Sequence, residues 1–232
     1  MEITVTQISA REIASLLVGT HALRFGSFTT KSGRESPFFM NFGAINGGAD
    51  LTRLAGWYAD AIIQIHRTLP DIIFGPAYKG IPLAVAVAAE LARKTGAEVG
   101  FAFDRKEVKD HGEGGSLIGR PLEKGRRILI VDDVLTAGTS VGQTLAWMKD
   151  LDVKITGVLV GVDRCEKASD ALGGNGTAAF ALARTHHVRV DSLTDIKKIM
   201  TAICSDQGLV SASGLTEAVK LKVNEYLGKY GS

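Results

Sequence analysis

Arg127-Ile-Leu-Ile-Val-Asp132-Asp133-Val-Leu-Thr136-Ala137-Gly138-Thr139-Ser140 reads as a buried strand that ends in two acids and then turns, through small and hydroxylated residues, into a helix. The same alternation of short apolar runs and helix-length segments extends to either side. It runs through Asp71–Phe74, a helix over Gly80–Lys94, Glu98–Phe103, Arg127–Val131, a helix over Ser140–Asp150, Lys154–Val162, a helix over Thr177–Thr185, and Val188–Leu193. Apolar strands separated by helices predict an α/β fold with a central parallel sheet flanked by helices and ligands at the carboxyl ends of its strands.

Further out, Ser9 and Glu12 form a capping box, with Ile8 and Ile13 placed for a hydrophobic staple, which predicts a helix over Ala10–Val18. The stretch from Phe25 to Phe42 alternates as a hairpin or two short strands, and Pro37 suits an edge. Asp50 reads as the N-cap of a helix whose stripe, Leu51, Leu54, Ala55, Tyr58, Ala61, Ile62 and Ile65, ends near Thr68. Residues 22–48 do not fit the strand-helix repeat and are expected to form a small flap over the ligand edge of a single domain, 1–232. Helices over Asp195–Cys204 and Ser213–Leu227 close the chain, the second within a C-terminal extension, 205–232, to which no role is assigned.

With 45% apolar residues among 232, there is material for one substantial core, and a net charge of +2 gives no reason to expect nucleic acid or a membrane surface as partner. The longest uncharged apolar run, Ile81 to Ala89, is far short of the roughly 18 residues a bilayer span needs. The start, Met-Glu-Ile-Thr-Val, has no basic region before an apolar one, so a cytoplasmic protein is expected. Cys165 and Cys204 have no paired spacing and are read as packing residues.

The strand-turn-helix unit is an anion site. Backbone N–H groups at a helix start lack partners, and the helix dipole there favours a negative group by about 0.3–2 kcal/mol. Gly138 lets the backbone approach a phosphate, Thr136, Thr139 and Ser140 add hydroxyls, and Ser140 is expected to cap the helix. Two carboxylates beside such a cradle would repel its ligand unless they faced ribose hydroxyls or a Mg²⁺ ion. The rival reading, a strand ending in two solvated acids, leaves the hydroxyl-rich turn unexplained.

At these residues the chain resembles the type I phosphoribosyltransferase family, whose signature is an apolar strand, two acids and a Thr-Ala-Gly-Thr-like turn. The resemblance implies that Asp132 and Asp133 bind the ribose hydroxyls of phosphoribosyl pyrophosphate. It also implies that Thr136, Ala137, Gly138, Thr139 and Ser140 hold the 5-phosphate, with Val134 and Leu135 in the same donor site. A second turn, Gly75-Pro76-Ala77-Tyr78-Lys79-Gly80, corresponds to the family's pyrophosphate turn, which places Tyr78 and Lys79 on the donor and implies a strained or cis peptide at Ala77–Tyr78. Read without the family, it is a strand-to-helix turn with an exposed lysine.

Asp104-Arg105-Lys106-Glu-Val-Lys109-Asp110-His111-Gly112-Glu113-Gly114-Gly115-Ser116 combines three basic residues and a histidine with three glycines, the composition of an anion-gripping lid or of a solvated charged loop. It is similar to the lid of the orotate phosphoribosyltransferase subfamily, and so implies that Arg105, Lys106, Lys109 and His111 contact the pyrophosphate. The lid is then expected to reach the neighbouring site of a homodimer. The implied catalytic set is Lys109, Arg105, His111, Asp132 and Asp133. Phe28-Thr-Thr-Lys31-Ser-Gly33-Arg34-Glu-Ser36-Pro37-Phe38-Phe39-Met40-Asn41 resembles the subfamily's flap over orotate. By that resemblance Phe39, Met40, Thr136 and Arg164 bind orotate and Lys31 faces the donor; many members carry an aromatic residue where Met40 stands. Mg²⁺ is the implied cofactor, held mainly by the donor's diphosphate and ribose hydroxyls without a dedicated set of protein ligands. The rivals are a phosphoribosyltransferase for another base, which the flap and lid disfavour, and a non-enzymatic regulator of the same fold. A regulator would be expected to lose lid cations or add a nucleic-acid-binding segment.

Overall fold

The computed structural model describes residues 9–30, 35–66, 68–105, 117–173 and 176–231. Two antiparallel strands, β1 (Leu23–Thr29) and β2 (Glu35–Met40), form a hairpin apart from the main sheet. The main sheet contains β3 (Ile72–Phe74), β4 (Gly100–Asp104), β5 (Leu117–Gly119), β6 (Arg127–Leu135), β7 (Lys154–Asp163) and β8 (Val190–Asp195), in the order β5-β4-β3-β6-β7-β8. Every pairing in it is parallel except that of β4 with β5. The helices are α1 (Ala10–Gly19), α2 (Gly48–Ile65), α3 (Gly80–Thr95), α4 (Thr139–Met148), α5 (Ala178–His186), α6 (Ile196–Cys204), α7 (Gln207–Ser213) and α8 (Glu217–Tyr230).

Adjacent strand residues point to opposite faces, and each face has its own core. Ile73, Leu129, Val131 and Leu159 pack on the larger one with α1, α2, α3 and α6. Ile72, Phe74, Ile128, Ile130, Val158 and Val160 pack on the smaller one with Val141, Leu145 and Met148 of α4 and Leu182 of α5. This two-sided burial explains why the strands read as unbroken apolar runs rather than as alternating ones. Each fully buried Ile or Leu contributes roughly 1.5–3 kcal/mol relative to exposure.

From β3 the chain crosses through α3 to β4, on one side, whereas from β6 it crosses through α4 to β7, on the other. Neighbouring strands β3 and β6 therefore send their helices to opposite faces, which opens a crevice between the carboxyl ends of these two strands. Both turns singled out in the sequence stand at that crevice.

Several boundaries differ from expectation. Strand β6 runs through both acids to Leu135, because β7 pairs with it as far as Leu135↔Asp163. Ser140 does not cap α4: the helix begins at Thr139, the cap position is Gly138, and no side chain closes the end. Asp50 lies in the first turn of α2 rather than at its cap, which is Gly47, and the helix ends at Ile65 instead of near Thr68. Ser9 does cap α1, but its hydroxyl accepts from Arg11 N while Glu12 N donates to the Ser9 carbonyl; Ile8 lies outside the described residues. Edge strand β5 and helix α7 were not anticipated, since three residues and seven residues are too short to show a period. The last helix starts at Glu217, with Thr216 as its cap, rather than at Ser213. Cys165 is half-buried and its thiol is pushed up to about 11 by burial and the nearby Asp163 charge, whereas Cys204 is exposed and is not a packing residue. No helix among the described residues is long and apolar enough to cross a membrane.

Candidate functional site

The acids at the end of β6 are buried polar groups in the crevice. Asp132 is 9% exposed and Asp133 8%. Asp132 Oδ1 accepts from the Asp133 N–H at 2.9 Å, and Asp133 Oδ1 accepts from the Val134 N–H at 2.8 Å, so the backbone itself holds one oxygen of each carboxylate. The other Asp133 oxygen, Oδ2, is buried and makes no hydrogen bond, with the Lys79 ammonium 3.2 Å away as a charge partner. A buried acceptor of this kind is costly unless a ligand satisfies it. Burial, and next the Asp133 charge, push the Asp132 carboxyl up to about 7. Beneath the pair, the Tyr58 hydroxyl of α2 donates to the Asp132 carbonyl at 2.8 Å; burial and the two carboxylates hold that phenol well above its ordinary value. Tyr58 thus anchors the strand end from the core side.

After Leu135 the chain turns through Gly138, whose φ of 80° is left-handed and disfavours any residue with a Cβ. An added Cβ there would also meet Leu172 Cδ1 at 2.8 Å. Because α4 then starts without a side-chain cap, its first N–H groups are available to an anion. The β3–α3 turn is closed instead of open: a Cβ on Gly75 would lie 2.0 Å from the Gly80 carbonyl oxygen, so the two ends of the turn touch backbone to backbone. The Ala77–Tyr78 peptide is cis, and the Ala77 N–H donates to Asp104 Oδ1 at 2.7 Å. Lys79, at the end of this turn, reaches across to Asp133 and joins the two turns.

These groups share one cleft of about 920 Å³. Its walls include Lys79, Arg105, Asp132, Asp133, Val134, Leu135 and Thr136 to Ser140, together with Phe39, Met40 and Arg164. Leu135 contributes backbone only, its side chain being 1% exposed in the smaller core. Tyr78 is not in the wall; the residue is 62% exposed. Lys31, Lys106, Lys109 and His111 lie outside the described residues. On the flap, Phe39 stacks on Phe28 at 5.4 Å between ring centres, and the Arg24 guanidinium stands 5.4 Å from the Phe39 ring. Pro37 falls where the pairing of β1 with β2 shifts register, between Phe25 and Phe28, so its missing N–H costs the ladder nothing.

The same cleft holds residues that sequence reasoning missed. Phe28, Phe38, Asp104, Gln143, Thr144 and Trp147 line it. Gln143, Thr144 and Trp147 follow Ser140 at spacings of three, four and seven, a helical face that the sequence did carry. Asp104 opens the anticipated lid stretch, yet nothing local marks its bond to the Ala77 N–H of the neighbouring turn. No cluster of three or more His, Cys, Asp or Glu side chains able to hold a metal occurs among the described residues.

Residues 48–174 match the phosphoribosyl transferase domain family. An orotate phosphoribosyltransferase of Bordetella petrii is 45% identical over 214 residues, 90% of each chain, and one of Bifidobacterium longum is 39% identical over 96% of this chain and 98% of its own. The chain belongs to the orotate phosphoribosyltransferase family. A crystal structure of the Francisella tularensis orotate phosphoribosyltransferase is similar at a TM-score of 0.76 and 36% identity, covering 95% of this chain and all of that one.

Proposed function

We propose that this member of the orotate phosphoribosyltransferase family carries out its transfer in the β3–β6 crevice, moving ribose 5-phosphate from phosphoribosyl pyrophosphate to a ring nitrogen of orotate in pyrimidine biosynthesis. The observation that carries the reading is the unsatisfied, buried Asp133 Oδ2 beside an uncapped helix start, in one cleft with Arg164 and the aromatic flap. Asp132 and Asp133 accept hydrogen bonds from the ribose hydroxyls, and the N–H groups and hydroxyls of Thr136 to Ser140 take the 5-phosphate. Lys79 and Arg105 face the pyrophosphate, where positive charge stabilises the electrons that the ribose C1–oxygen bond delivers to the leaving group as the C1–nitrogen bond forms. Phe28 and Phe39 offer a flat wall to the pyrimidine, and Arg164 is the cation for its carboxylate.

The donor set also suits Mg²⁺. Two adjacent carboxylates, one with an unsatisfied oxygen, are too few to cage an ion but enough to sit beside one held by diphosphate and ribose oxygens. When bound, it neutralises diphosphate charge. Lys31, Lys106, Lys109 and His111 complete the donor site, the lid from the partner subunit of a cytoplasmic homodimer. That arrangement predicts that inactive Lys109→Ala and Asp133→Asn chains, once their subunits have exchanged, recover about a quarter of wild-type activity. Recovery fails if each lid serves its own chain. The assay that tests the whole reading offers the donor and Mg²⁺ with orotate, uracil, adenine, hypoxanthine or xanthine in turn. Orotate should be consumed far faster than the others; equal rates with adenine would refute the base assignment.

A further inference from the structure

Arg164 is not a free cation. It is 5% exposed, its Nε donates to Glu166 Oε1 at 2.7 Å, and its Nη2 lies 2.6 Å from the same oxygen and 3.2 Å from the Ser36 hydroxyl. Its guanidinium also stands 4.2 Å from the centre of the Phe38 ring. Glu166, 1% exposed, takes a third donor on Oε1: the hydroxyl of Tyr226, from α8, at 2.9 Å. Burial and the Glu166 carboxylate hold that phenol above its ordinary value, so it remains a donor. The end of the chain then clamps the same loop. Lys167 N donates to the Tyr230 carbonyl at 2.9 Å, its ammonium to the Lys229 carbonyl at 3.1 Å, and Gly231 bridges to Glu166.

Charge neutralisation alone would need only Glu166. The Tyr226 bond, the edge-to-face packing of Tyr226 on Phe38 at 5.7 Å and the tail clamp all add geometric definition rather than charge. A guanidinium has five N–H donors in a rigid fork, so these partners orient it without exhausting it. We propose that Glu166 and Tyr226 are positioning residues for Arg164, and that α8 is thereby part of the base-selecting apparatus. The proposal rests on the reading of Arg164 as the cation for the orotate carboxylate.

Tyr226→Phe keeps the ring and its packing, and Glu166→Asp keeps the charge while drawing it back by one methylene. Steady-state kinetics should show the orotate KM raised about tenfold by Tyr226→Phe and further by Glu166→Asp, with the KM for phosphoribosyl pyrophosphate unchanged within about twofold, as expected for loss of a bond to a charged group. In an Arg164→Ala background neither change should raise the orotate KM again, since the group they position is gone. The proposal is overturned if Arg164→Ala raises the orotate KM but Tyr226→Phe and Glu166→Asp do not. Equal rises in both KM values, or a further rise in the Arg164→Ala background, also overturn it. If Arg164→Ala itself leaves the orotate KM unchanged, the assignment of Arg164 to the base fails first, and the positioning role falls with it.

Discussion

At the end of the cleft formed by strand β6, nine consecutive residues, 132–140, supply the acids, the turn and the helix start. At the end beneath the flap, Ser36 and Arg164 meet across 128 positions of sequence, and Tyr226 comes from the last helix. The first end is largely a backbone device, in which N–H groups hold the carboxylates and an uncapped helix waits for an anion. The second is a side-chain device, a buried ion pair wedged between a flap ring and a helix. The difference is physical. A phosphate is met by a local run of amides, whereas a planar acid needs a cation aimed from a fixed direction, and only packing provides that direction.

Variants and conditions that act on one end of the cleft should leave the other intact. The largest effect should follow removal of Mg²⁺ by a chelator, which is expected to abolish turnover; persistent activity would mean that the acids and lysines manage the diphosphate alone. Asp133→Asn keeps the shape but alters the one carboxylate with an unsatisfied oxygen, and should lower kcat/KM by on the order of 10²-fold or more. A near-normal rate would return the acids to the role of strand ends. Arg164→Ala should act on the other end only, raising the orotate KM by roughly 10- to 100-fold while the donor's affinity holds. If both affinities drop together, the two ends of the cleft act as one unit. Part of any loss of fold stability in that variant would come from Glu166, left buried without its partner, a defect worth about 3–5 kcal/mol.

Gly138→Ala probes the backbone device directly. The left-handed φ of 80° and the 2.8 Å approach to Leu172 predict a loss of about 1–2 kcal/mol in stability and a raised donor KM, with orotate binding little changed. Calorimetry on the variant and parallel kinetics with each substrate varied would show this. Asp132 gives the most specific signal, one confined to the pH dependence of stability. Burial and the Asp133 charge push its carboxyl up to about 7 in the fold from an ordinary value of 3.8, so between those values the folded state binds more protons than the unfolded one. Its contribution to stability is therefore present at low pH and is lost as pH rises through that window, by on the order of 1–4 kcal/mol. Ligand-free protein should melt at a lower temperature at pH 8 than at pH 5.5, and Asp132→Asn should flatten that slope. Identical slopes in the two proteins would show that the Asp132 carboxyl is not raised.

The strand-helix repeat, the parallel sheet and the turn after the paired acids were legible from the residues because each is written locally: an unbroken apolar run marks a strand buried on both faces, and a Gly among small residues marks a tight turn into a helix. Even there, the cap of α4 was misread, since whether Ser140 or Gly138 ends the helix depends on where the β6–β7 pairing stops. The support for Arg164 had no such local sign. Glu166 is two residues away and reads as an ordinary surface acid, Tyr226 belongs to a helix whose sequence shows only an amphipathic face, and Tyr58 looks like one more member of an apolar stripe. Amides and capping positions depend on neighbours in the chain, and the sequence determines them. The direction of a buried guanidinium depends on which side chains the fold brings from far away to surround it, and that only the tertiary structure decided.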